Sequence, residues 1–162
     1  MENAKDSFYL ALRNALAVLN PLRVFVLRGV QRPGIMVEEN ESTIAIAVPD
    51  IFVLRWTDLS VDDQHSLPLA QQVCEIHYWS EGTSTSGGMD RGRLLAAMDE
   101  ELTQLLSTRN AAKQNFSIRP PSPLSTRIFW SAASFGAAVT NKNRLSRLAT
   151  VTVYSYEEAD EA

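Results

Sequence analysis

The residue types best suited to chemistry gather between Trp79 and Leu95, in the stretch WSEGTSTSGGMDRGRLL. A loop rich in serine, threonine and glycine runs there into Asp90-Arg91-Gly92-Arg93, at what reads as the start of a helix. One chemistry for such a loop is phosphate binding. The Walker pattern needs two glycines five positions apart, then lysine and a hydroxyl residue, so that an ammonium meets the phosphates. Gly82 and Gly87 have that spacing, but Gly88 and Met89 stand where the lysine and hydroxyl belong. A helix N-terminus attracts anions even without lysine. With Arg91 and Arg93 close by, a small anion- or phosphate-ester-binding enzyme using residues 80–93 is therefore the alternative function. A second chemistry is nucleophilic. An esterase elbow needs Gly-x-Ser-x-Gly, whereas the loop reads Gly-Thr-Ser-Thr-Ser-Gly. The only histidines are His65 and His77. His77 could act as a base beside Ser84, although a strand histidine between Glu75 and Trp79 more simply packs on a sheet.

Metal chemistry has less to work with. Asp62, Asp63 and His65 are adjacent but lack a ligand spacing, and Asp99-Glu100-Glu101 points around a helix rather than at one centre. Cys74 is the only cysteine, which rules out an internal disulfide and a cysteine-rich zinc site. Trp56, Trp79 and Trp130 fall in separate strand-like segments, where core packing explains them better than base stacking. No catalytic, cofactor-binding or metal-binding residue is expected.

The elements that must position these residues follow from the pattern of the whole chain. At 162 residues and 45% hydrophobic content, one globular domain spanning 1–162 is expected. Unbroken apolar runs such as Ile44 to Val48 reach five residues, far short of the roughly 20 a membrane span needs. Glu2, Lys5 and Asp6 stand where a signal peptide would be basic and then apolar. The net charge is −4, and residues 157–162, EEADEA, hold four of the carboxylates, so the body is neutral and the tail acidic. Direct nucleic-acid binding, which favours a basic face, is not expected. Twelve of the 15 basic residues are arginine, the cation enriched at protein interfaces.

Phe8, Leu12, Ala15, Leu16 and Leu19 share one helical face, with Asp6 or Ser7 as the cap and Asn20-Pro21 as the end. RVFVLRG (23–29) reads as a strand, followed by a turn at Arg32-Pro33-Gly34, an apolar IMV and a loop at ENES. TIAIAV (43–48) alternates as a half-buried strand does. IFVLRW (51–56) is extended and TDLSVDDQHSLP is a polar connection. LAQQVCEIHYW is the central strand, with Cys74, Ile76 and Tyr78 on one face. After residues 80–88 a second helix carries Leu94 or Leu95, Met98, Leu102, Leu105 and Leu106 as its stripe, capped by Asp90. Residues 107–126 form a Pro-rich connection without regular structure. RIFWSAASFGAAV and, after the TNKNR turn, LATVTVYSY are the closing strands. The order implies an α+β fold, a mainly antiparallel β-sheet with two α-helices packed on one face.

That order, an amphipathic N-terminal helix, short strands around RPGIMV and TIAIAV, LAQQVCEIHYW, a loop, the helix DRGRLLAAMDEELTQLL and a last strand RLATVTVYSY, resembles the tail terminator (minor tail, tail-completion) proteins of long-tailed bacteriophages and related contractile particles. The likeness spans nearly the whole chain; the connection at 107–126 and the acidic tail at 157–162 are additions to it. It implies a structural assembly protein rather than an enzyme, without cofactor. Such proteins form rings, typically hexameric, that cap the tail tube and join it to the head or neck. The implied partners are further copies of the chain, the tail tube protein and a head-completion or neck protein, with no membrane. The implied locations are the bacterial host cytoplasm during assembly and the virion tail afterwards. The loop would then be a contact element with Ser84, Thr85, Arg91 and Arg93 as its contact residues. Ordering nine residues costs on the order of 10 kcal/mol, so the loop is expected to stay mobile until a neighbour orders it.

Overall fold

The computed structural model describes residues 1–41 and 48–161. Helix α1 (Glu2–Leu19) opens the chain, followed by the short strands β1 (Val24–Leu27), β2 (Val30–Pro33) and β3 (Ile35–Val37) and a short helix α2 (Glu38–Glu41). The long strands β4 (Phe52–Asp62) and β5 (Leu69–Ser80) lead to helix α3 (Arg91–Leu105). Then come β6 (Asn110–Asn115), β7 (Ser122–Trp130), the short β8 (Ser134–Phe135) and β9 (Val139–Asn141), and β10 (Arg144–Tyr156). The main sheet runs β3-β4-β5-β10-β7-β6, with β8 and β9 also paired to β10. Every pairing is antiparallel except β3 with β4. The fold is α+β, as the periodicities imply.

The core lies between the sheet and the helices. On β5 the buried residues are Ala70, Gln72, Cys74, Ile76, Tyr78 and Ser80, alternating with half-exposed neighbours. Phe8, Leu12 and Leu16 of α1 and Leu95, Met98, Leu102 and Leu105 of α3 close over that face. Phe8 meets both Trp56 and Trp130 edge-on, with ring centroids 5.8 and 5.2 Å apart. A smaller cluster, Phe25, Leu27, Met36, Ile51 and Val53, sits on the opposite face under the β1–β2 hairpin. Adjacent residues Val53 and Leu54 therefore feed different clusters, as strand alternation requires.

Several expectations are corrected. Helix α1 begins at Glu2 without a side-chain cap, so Asp6 and Ser7 lie inside it. Asn3 and Ser7 turn to the sheet, accepting hydrogen bonds from the backbone N–H groups of Phe116 (2.9 Å) and Gln114 (3.0 Å). They satisfy backbone donors at the edge strand β6 that would otherwise be open to pairing with another chain. Leu19 is exposed. The tight turn falls at Arg28-Gly29, not at residues 32–34; both have positive φ (51° and 79°), which a two-residue hairpin loop demands. Residues 39–41 of ENES belong to α2 rather than a loop, and Ser42 lies outside the described residues. TIAIAV lies mostly outside the described residues, in 42–47. The polar segment after Trp56 is half strand, because β4 runs on to Asp62, held by its ladder to β5 rather than by burial. The connection at 107–126 contains β6 and the start of β7. Its small and polar residues hide β6 from any alternation pattern, and pairing with β7 makes the strand.

The acidic tail is part of the fold. Lys113 lies on the inward-facing side of β6, alternating with exposed neighbours, and its fully buried Nζ donates to Tyr156 O (2.6 Å) and Glu161 Oε2 (2.5 Å). Glu158 accepts from Thr126 N and Oγ1 and from Ser125 Oγ.

Candidate functional site

The loop between β5 and α3 is tied down within the subunit, contrary to the mobile connector expected. After Ser80, whose Oγ accepts from Gly82 N (3.1 Å), comes a single 3-10 turn at Ser84–Ser86. Asp90 precedes α3 but makes no side-chain cap. Its carboxylate turns back and accepts from Thr83 N (2.8 Å), Thr83 Oγ1 (2.8 Å) and Ser86 Oγ (2.5 Å). These donors, the Ser86 hydroxyl first, hold its pKa down at about 2. One internal anion thus gathers the donors of the loop, supplying the enthalpy that the entropy argument alone omitted.

Two glycines make that closure possible. A Cβ on Gly82 (φ 77°) would lie 2.7 Å from Asp90 Oδ1 and 2.7 Å from Gly88 Cα. A Cβ on Gly88 (φ 81°) would lie 2.9 Å from Glu81 O and 3.1 Å from an Arg91 guanidinium nitrogen. Arg91 Nε donates to Gly88 O at 2.9 Å, so Arg91 braces the loop. Ser84 and Thr85 on the loop, and Arg93 in the first turn of α3, remain exposed. Met89, which sequence reasoning passed over, is 90% exposed between them. Of the four expected contact residues, Ser84 and Thr85 lie on the loop and Arg93 in the first turn of α3, all three facing solvent, while Arg91 at the start of α3 is half-buried against the loop.

The arrangement leaves little for anion chemistry. A phosphate at this loop would compete with the Asp90 carboxylate for the Thr83 and Ser86 donors. His77 Nε2 lies 3.2 Å from Glu75 Oε2 on the half-exposed face of β5, and among the described residues no serine hydrogen-bonds to it. Asp62 Oδ1 accepts from Gln64 N within the β4–β5 turn. Asp99 accepts from Tyr78 Oη (2.5 Å) and lies 2.9 Å from Arg147 Nε, in an ion pair whose angle does not make a hydrogen bond. Burial, reinforced by that bond to Asp99, pushes the Tyr78 phenol pKa up. Glu101 binds Arg23 through both oxygens (2.5 and 3.0 Å) and accepts from Asn20 (2.8 Å). Among the described residues no group of three His, Cys, Asp or Glu side chains is placed to hold a metal ion.

Two surface features were not anticipated. On the open face of the sheet, Arg144 stacks on Trp79 at 3.9 Å from the ring centroid, beside a shallow groove of about 280 Å³ that also meets Arg55 and His77. At the end of α1 and on the β1–β2 hairpin, aliphatic side chains stand in solvent: Leu22 is 88% exposed, Val26 66% and Val30 59%. The unbroken apolar run VFVL was the available signal, since a strand with one wet face normally alternates. No protein-family model matches the chain, and no curated protein sequence shows significant similarity to it.

Proposed function

We propose that this chain is a structural assembly protein of the tail-terminator kind, which closes into a ring on a tail tube and presents a surface to the head or neck. In this reading residues 80–93 are a contact surface towards a neighbouring component of the particle, with Ser84, Thr85, Met89 and Arg93 touching the partner and Arg91 holding the loop in shape. The observation that carries the reading is a solvent-facing methionine on a loop already fixed by the Asp90 hydrogen bonds, with a solvent-facing arginine beside it in the first turn of α3. Part of the cost of association is the ordering of flexible groups, and a prebuilt loop avoids that part. Methionine and arginine are both enriched at protein interfaces.

The test is sedimentation velocity across a wide concentration range, alone and with purified tail tubes. Wild type forms closed oligomers of one size, or binds tube ends. Arg93→Glu with Met89→Ser weakens assembly or tube binding while circular dichroism stays unchanged. A wild type that stays monomeric throughout and ignores tubes would refute the reading.

A further inference from the structure

We infer that the groove between the start of α1 and β4 takes an arginine residue from an extended segment of a partner protein, its guanidinium among carboxylates and its carbonyl on Trp56. The inference goes beyond the ring reading and does not depend on it. The groove, of about 270 Å³, is lined by Glu2, Glu39, Asp58, Trp56 and Gln72, together with Met1 and Lys5. A smaller cleft beside it adds Asp6. The charge there stays unbalanced after the ion pairs are counted. Lys5 is shared between Glu2 (3.0 Å) and Glu39 (3.7 Å), and the Met1 ammonium is held by Glu157 at 2.5 Å. Glu2, Asp6, Glu39 and Asp58 are thus left with the one ammonium of Lys5 among them. Burial and then the charge of Glu2 hold the Asp6 carboxyl above its ordinary pKa, the response of an acid in an already negative field.

Two buried polar atoms of the groove residues, Gln72 Oε1 and Trp56 Nε1, have no hydrogen-bond partner. Gln72 is 2% exposed, and its Nε2 donates to Met1 O at 3.2 Å, which holds the side chain with its oxygen unused. An unmade buried hydrogen bond is costly, and a ligand that brings the partner recovers that cost on binding. The carboxylates and the Gln72 oxygen only accept, so they call for a ligand rich in N–H donors. Among the described residues no three acids converge on a point that could hold a metal ion. A guanidinium is flat and spreads its donors, which suits acceptors set apart from one another. Trp56 Nε1 only donates and needs an acceptor near the cation. An arginine residue has one in its backbone carbonyl; a free guanidinium compound does not.

The probe is the peptide acetyl-Gly-Arg-Gly-amide, titrated into the isotope-labelled full chain while the Trp56 indole N–H is followed by NMR. That signal should shift saturably. Citrulline in place of the arginine keeps the shape without the charge and should weaken binding more than about tenfold. Glu39→Gln with Asp58→Asn, both at exposed positions, should do the same. Gln72→Leu should also weaken binding with circular dichroism unchanged; a Gln72→Leu protein that binds normally would overturn the assignment. Ethylguanidinium, which has no carbonyl, should bind more weakly than the peptide. If it binds as tightly, the Trp56 contact and the peptide source are both wrong. If millimolar peptide leaves Trp56 unmoved, or the citrulline peptide binds equally well, the groove holds only water and the inference falls. None of these results touches the ring reading, which sedimentation tests separately.

Discussion

Asp90 shows how one carboxylate can decide the state of a loop. Its pKa falls from 3.8 unfolded to about 2 folded, so its contribution is complete above the unfolded value and disappears as pH drops through about 2. The Thr83 amide, which donates to Asp90 Oδ1, should report this in an NMR titration with a midpoint near 2. A midpoint close to the ordinary 3.8 would mean that the loop is not held by this group. At neutral pH, Asp90→Ala should speed proteolysis between Gly82 and Gly88 with little change in the rest of the fold. Cys74 makes a second residue-scale test, because it is fully buried and burial pushes its thiol pKa up. Thiol reagents should leave it unmodified until the protein unfolds; prompt labelling under native conditions would contradict its place in the core. The position of Asp90 before a helix was legible from spacing alone. Its choice of partners was not, because a cap and a loop clasp need the same residue type, and only the approach of Thr83 and Ser86 decides between them.

Helix and strand elements separate by how they are stabilised. Helices α1 and α3 and strands β5 and β10 carry period-3.6 or period-2 burial and were legible for that reason. Strand β6 and the second half of β4 are held by backbone ladders, with few apolar side chains to betray them. Within α3, Leu102 is fully buried and Glu100 exposed. Leu102→Ala should cost about 2–5 kcal/mol in urea unfolding, against less than about 0.5 kcal/mol for Glu100→Ala. The tail makes a sharper case. Glu161→Gln would leave the Lys113 ammonium buried with Glu157 Oε1, 4.0 Å away, as its nearest remaining carboxylate among the described residues, and should cost about 3 kcal/mol. Replacing the pair together, Lys113→Met with Glu161→Leu, should return stability close to wild type. If the single and double changes are equally damaging, the ion pair is not what fixes the tail. Acidic composition alone says nothing of where the tail sits; Lys113, on the inward face of a strand without an apolar pattern, gives the tail its seat.

The whole molecule is joined through its centre by residues remote in sequence: Leu69 pairs with Tyr156 and Ser80 with Leu145. Such pairing must close long loops before it gains contacts, which favours slow folding, and the shared core ties both helices to it. Unfolding followed by tryptophan fluorescence and by far-ultraviolet circular dichroism should therefore give coincident transitions; two separated midpoints would show that the N-terminal part forms a unit of its own. The same sheet has an open flank at the end of β4, and there the chain interferes with its own backbone. A register shift between Trp56 and Asp58 disturbs the ladder, and the Asp58 carboxylate accepts from the N–H of Leu59 at 2.9 Å. With that donor occupied, a visiting strand cannot simply continue the sheet. A protein that docked there would have to be chosen by its side chains, and a single substitution would then change that choice without slipping a register.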